Sequence, residues 1–305
     1  MEKKYKKLKP VHGIILFLFS MISFYTVIYW LQSRFGMYGL AMTELYLLAA
    51  SFGITILAKA DLREVFPIKK PEIRKILGTL LLWAGSYVVV TALTMLLAWG
   101  FPKQMFEMGS ALNETLSSVP FLVSVIISAV LPAVCEEAMH RGVILHSFRK
   151  IRKDWILVLL MGILFGVFHG SIWRFVPTAL LGAALTWLML KTENMLYPAL
   201  FHFINNFLPS FMSRGASVEE TAASTELLIE NGLPLAAVGV YVMLSAAAPF
   251  AIYTAAYLLQ SRKEEKRSYW GEGKKGRRMA LLICLTVLPL ILGQLLLVGG
   301  ILMYF

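Results

Sequence analysis

Eight residues, "CEEAMHRG" at 135–142, place two glutamates, a histidine and an arginine directly after "VPFLVSVIISAVLPAV", a run without a single charge. These are residue types for hydrolytic chemistry. A carboxylate can deprotonate water, and a neutral imidazole can take or return protons near neutral pH. Two later stretches add groups of the same kinds. His169 ends "FGVFH", and "HFINN" carries His202, Asn205 and Asn206. An amide N–H₂ such as that of Asn206 can donate to a developing oxyanion.

Spacing sorts these groups into pairs. Glu136 and His140 are four residues apart, as are Glu137 and Arg141, and His202 and Asn206. On a helix such pairs lie roughly 5–6 Å apart at Cβ. Glu137 and Arg141 can neutralise each other, which leaves Glu136 as the carboxylate with no obvious charge partner. Only Asn206, not Asn205, shares the helix face of His202. Glu136, His169 and His202 also have the ligand types for a divalent metal such as Zn²⁺ with an open water position. A water-activating glutamate without metal would use the same residues. The stronger zinc-protease signature, HExxH, is absent.

The elements that must position these residues are membrane helices. Of the 305 residues 58% are hydrophobic and only 15% charged, where a soluble domain carries about 25%. Mean hydropathy is +0.70. Apolar blocks fall near 13–32, 38–58, 76–99, 118–148, 155–170, 174–190, 195–212, 233–259 and 279–304, and each approaches the ~20 residues that cross a bilayer core. The fold class expected is all-α, a polytopic transmembrane helix bundle with about eight to nine spans. It divides into a three-helix membrane region at 1–117, a core at 118–212 and a two-helix region with a basic loop at 213–305.

The net charge of +11 does not point to nucleic acid, because its Lys and Arg cluster in short runs between apolar blocks. "KADLREVFPIKKPEIRK", "RKIRKD" and "SRKEEKRSYWGEGKKGRR" hold 18 of the 29, and the N-terminal arm holds five more; "KTEN" is a weak member of the same set. The alternate loops, including "GFPKQMFEMGSALNETLS", "GSIWR" and "MSRGASVEETAASTELLIENG", are neutral to acidic. The alternation predicts an integral membrane protein with a cytoplasmic N-terminus, and the first block reads as an uncleaved signal-anchor helix. The basic loop 261–278 is expected against anionic headgroups. On this topology Glu136 lies about 20 Å of helix from the run that begins at Arg149, and His169 rises to about the same level. His202 comes out about 10 Å shallower if its helix starts at Tyr197.

"EEAMHR" fits an EExxxR motif, "FGVFH" an FxxxH motif and "HFINN" an HxxxN motif. In this order, about thirty residues apart, they resemble the CAAX-protease and bacteriocin-processing family of intramembrane endopeptidases, whose eukaryotic branch is the Ras-converting-enzyme type. The resemblance implies that Glu136 activates water, that His169 has a similar role, and that His202 and Asn206 help activate water or stabilise the oxyanion. It implies that Arg141 holds Glu137. His140 departs from the family, whose members often carry an aromatic residue there. The implied substrate is a membrane-embedded or lipidated peptide, reached from the cytoplasmic half of the bilayer. The short loops look bacterial, which places the protein in a bacterial plasma membrane.

Competing readings follow from the same residues. A transporter would use Glu136 and the histidines as a proton relay, and an immunity scaffold would bind a peptide without cutting it; no repeated halves of the transporter kind are visible. Cys135 could form a Cys-His-Asn set, but it lies about 100° around the helix from Glu136, and a buried thiol usually behaves as a small hydrophobe. Glu44, in the second block, is a pore-facing or a packing residue, and nothing near it in sequence decides.

Overall fold

A computed structural model describes residues 6–212, 218–260, 269–270 and 275–303. The first residues of the N-terminal arm and most of the basic loop 261–278 lie outside the described residues. Every regular element among those described is helical. In order they are α1 (Pro10–Phe24), α2 (Val27–Leu57), α3 (Ile73–Gly100), α4 (Pro102–Ser117), α5 (Phe121–Ser147), α6 (Asp154–Phe168), α7 (Ile172–Thr192), α8 (Leu196–Met212), α9 (Val218–Asn231), α10 (Leu235–Leu258) and α11 (Lys275–Leu302). A short turn of helix at Leu62–Val65 lies between α2 and α3.

The protein is all-helical, with helices suited to a membrane, but the expected eight to nine spans are not confirmed. Six helices, α2, α3, α5, α7, α10 and α11, are long and apolar enough to cross a bilayer. Helices α1 and α6 are apolar but have 15 residues each, about 22 Å of helix against a ~30 Å hydrocarbon core. The expected 13–32 span is interrupted because the chain turns at Tyr25 and Thr26, where α1 ends. Within α2, Gly36 takes φ 53° and ψ −126°, a conformation open to glycine, and kinks the helix. Two segments read as loops, 100–117 and 212–232, contain the non-spanning helices α4 and α9, which pack together with Asn113 Nδ2 donating to Thr221 Oγ1 at 3.1 Å.

Helix α5 is the most buried of the six long helices. Helices α1, α2 and α8 pack on it. Its winding widens to π-helical turns at Ile126–Val130 and Ala138–Ile144, on either side of an α-helical stretch ending at Glu137. Pro132 has no N–H to give, and the first wide turn precedes it; such turns often accompany functional sites. Helices α6 and α7 approach closely because small residues meet there. A Cβ at Gly162 would stand 2.8 Å from the Ala179 carbonyl oxygen, and one at Gly182 would stand 2.5 Å from Phe165 Cβ.

Candidate functional site

The i, i+4 spacing on α5 produces the ion pair it allows. Arg141 Nη1 donates to Glu137 Oε1 at 2.9 Å, with both side chains fully buried. Arg141 Nη2 donates to the Gly182 carbonyl on α7 at 2.9 Å, and its guanidinium lies 4.6 Å over the Phe165 ring. Glu137 Oε1 also accepts from His202 Nδ1 at 2.9 Å. Glu137 thus ties α8 and, through Arg141, α7 to α5.

Glu136, one residue earlier, points elsewhere. It lines a cavity of about 510 Å³ together with Ser128 and Pro132 of the same helix, His169, Arg174, and Asn205 and Asn206 of α8. Leu40, Thr43, Glu44 and Leu47 of α2 and Leu112 and Leu116 of α4 form other walls. The Glu136 side chain is only 9% exposed, and its Oε2 is buried with no hydrogen-bond partner in the protein. One carboxylate of the EE pair therefore holds helices together through its Oε1, although its Oε2 also lacks a partner, while its neighbour faces open space.

The histidines are oriented by their backbone bonds. His169 Nδ1 lies 2.8 Å from the Phe165 carbonyl. A carbonyl only accepts, so Nδ1 carries the hydrogen and Nε2 bears the free lone pair. His140 Nδ1 likewise donates to the Glu136 carbonyl at 3.0 Å, and its Nε2 is buried without a partner. Phe165 sits among the rings. Its centroid is 4.9 Å from that of His140, 4.7 Å from His169 and 5.8 Å from His202, each tilted toward edge-on. The first residue of the FxxxH motif is thus the packing centre for three imidazoles.

His202 does not line the larger cavity. It faces an adjoining one of about 50 Å³, which shares His169, Arg174, Asn205 and Asn206 with the first. Nor is it shallow: its bond to Glu137 puts it level with the acid pair. The expected 10 Å offset fails because α8 begins below the surface. Thr192, Asn194 and Met195 are buried, and Asn194 pins that turn to Lys69 through Lys69 N–H at 3.2 Å and the Lys69 carbonyl at 2.9 Å. The three-ligand set of Glu136, His169 and His202 is not assembled. Among the described residues no three His, Cys, Asp or Glu side chains are grouped to hold a metal ion.

Three residues have a larger place in the structure than the sequence reading gave them. Asn205, set aside in favour of Asn206, lines both cavities and donates from Nδ2 to Asn206 Oδ1 at 3.3 Å, while Asn206 Nδ2 reaches the Ser128 carbonyl at 3.2 Å. Arg174, read as part of a loop, is in the first turn of α7 and lines both cavities. A lone arginine at the start of an apolar block was its one signal. Glu44 belongs to the larger cavity, whereas Cys135 is buried and lines neither. The cavity is also bounded by α4 and by the 169–174 turn. These lie at the end of the bundle where the neutral-to-acidic connections gather, not at the end with the basic 148–153 turn. The space thus extends from Glu136 away from the basic 148–153 turn.

Residues 118–208, under a third of the chain, match the family model described as type II CAAX prenyl endopeptidase Rce1-like. The match spans EExxxR, FxxxH and HxxxN and bears out the resemblance drawn from them. The family is one of membrane proteases, and its prenyl endopeptidase description implies a lipid bilayer and prenylated peptide substrates. No curated protein and no solved structure was found to match the chain.

Proposed function

We propose that this integral membrane protein is an intramembrane endopeptidase that hydrolyses a peptide bond in a membrane-associated or lipidated peptide. The observation that carries the reading is the division of labour between neighbouring glutamates. Glu137 is locked by Arg141 and His202, while Glu136 faces a 510 Å³ cavity with His169, Asn205, Asn206 and Arg174.

In this reading Glu136 takes a proton from water as the water oxygen bonds to the scissile carbonyl carbon. The carbonyl oxygen becomes an oxyanion, for which the Asn205–Asn206 amides and the Arg174 guanidinium are the donors in the same cavity. His169 Nε2, kept as the lone-pair nitrogen by the Phe165 carbonyl, takes that proton from Glu136 and delivers it to the departing amine as the C–N bond breaks, which restores both groups. His202 acts one step removed, by holding Glu137 and the wall of the smaller cavity. The family match supports a lipid-bearing peptide as substrate, and the apolar wall from α2 and α4 suits a lipid-linked segment.

The test is to reconstitute the purified protein in liposomes with farnesylated peptides in H₂¹⁸O and analyse the products by mass spectrometry. A new carboxyl carrying one ¹⁸O supports the proposal. Intact peptide bound without cleavage supports the scaffold reading instead, and proton-coupled uptake of the peptide without cleavage supports transport.

A further inference from the structure

Glu44 is in α2, outside the three motifs and outside the matched segment. Its side chain is 3% exposed, and its Oε2 is buried with no hydrogen-bond partner in the protein. Among the described residues it forms no ion pair. A buried acid in a membrane-spanning helix is costly unless something polar meets it, and it marks function by default. What Glu44 meets is the space that Glu136 meets. Both line the 510 Å³ cavity, α2 packs directly on α5, and the Oε2 atoms of both acids lack partners. His169 and Arg174 are the other titratable or charged residues that line this cavity.

We propose that Glu44 is the second water-binding carboxyl of the site. Water has two hydrogens to give. With one donated to Glu136 and the other to Glu44, its oxygen is held between α2 and α5 with a lone pair left for the substrate carbonyl. Glu136 then takes its proton, and the hydrogen toward Glu44 stays on the oxygen that bonds to carbon. Glu44 orients the nucleophile by accepting a hydrogen bond, a task that an amide oxygen of the same shape performs as well. The neighbouring polar pair on α2 is bonded within the helix, Gln32 Nε2 donating to Thr43 Oγ1 at 3.2 Å and Thr43 Oγ1 to the Gly39 carbonyl at 2.9 Å. Glu44 is the one acid among the α2 residues that line the cavity.

This inference rests on the peptidase reading, so wild type, Glu136→Gln, Glu44→Gln and Glu44→Leu are assayed together in liposomes with the farnesylated peptide. Glu44→Leu is expected to lower kcat roughly 10- to 100-fold with KM within about twofold, as for loss of a positioning hydrogen bond. Glu44→Gln should stay within about threefold of wild type. Wild-type kinetics in Glu44→Leu, or a Gln variant as poor as the Leu variant, overturns the role of Glu44 alone. A wild type that cleaves nothing, or that ignores Glu136→Gln, overturns the peptidase reading and this role with it. Should the Leu variant not fold, an experimental structure of the wild type decides: water within hydrogen-bond distance of both Glu44 and Glu136 supports the proposal, and Glu44 bonded to another protein group contradicts it.

Discussion

His202 Nδ1 donates to Glu137 Oε1 at 2.9 Å, joining α8 to α5 across 65 residues of sequence at the same oxygen that receives Arg141. Three charged or ionisable groups meet there with no solvent around them. Removing one partner leaves the others buried and uncompensated. Glu137→Leu alone is expected to cost about 3–5 kcal/mol, and the Glu137→Leu/Arg141→Met pair less than that single change. Thermal unfolding in detergent measures both; a single variant as stable as wild type would remove the role given to this cluster.

Phe165 is expected to act on rate through geometry. It touches the rings of His140, His169 and His202 and lies under Arg141. Phe165→Leu retains apolar volume but not the flat ring surface. It should lower kcat more than it lowers stability, whereas Phe165→Ala should cost about 3–5 kcal/mol outright. Paired melting and turnover measurements separate the two, and equal losses in both variants would argue for packing alone.

The two asparagines divide the oxyanion work in this account. Asn206→Ala is expected to reduce kcat about 10²- to 10³-fold, the usual effect of losing an oxyanion donor. Asn205→Ala should cost less, because Asn205 donates to Asn206 rather than standing alone. Steady-state kinetics with KM resolved from kcat checks the order; the reverse order would exchange their roles.

Much of this was legible in the sequence, for a physical reason. Charge is so costly within an apolar helix that Glu136, Glu137, Arg141 and the histidines stood out, and 3.6-residue periodicity paired Glu137 with Arg141 correctly. The level of His202 was not legible. It depends on Asn194 binding the Lys69 backbone, a contact across 125 residues. Helices α4 and α9 were missed because they are too polar to span, and the turn at Tyr25–Thr26, which interrupts a continuous apolar block, carried no sequence signal. Arg174 looked like loop charge because it stands in the first turn of α7.

Sidedness can be measured directly. With Cys135 and Cys284 replaced by alanine, a cysteine at Arg174 and another at Lys150 should react with a membrane-impermeant thiol reagent from opposite faces. The charge pattern assigns Lys150 to the cytoplasmic face. Labelling of both positions from one face would contradict the placement of the cavity at the end of the bundle away from Lys150.

Metal dependence is a separate expectation. Because no three-ligand cluster is assembled among the described residues, chelation followed by metal analysis should leave turnover within about twofold. Activity lost to the chelator and restored by Zn²⁺ would show that Glu136, His169 and His202 rearrange into a ligand set.

The most direct measurement is the kcat of Glu136→Gln against wild type on a lipidated peptide, with Glu137→Gln alongside. The amide keeps the shape of the side chain and removes its capacity as a base. The account predicts a loss of about 10²- to 10⁴-fold for Glu136→Gln with its melting temperature unchanged, the range a general base contributes. For Glu137→Gln it predicts a fall in stability. Full turnover in the Glu136 variant would contradict it.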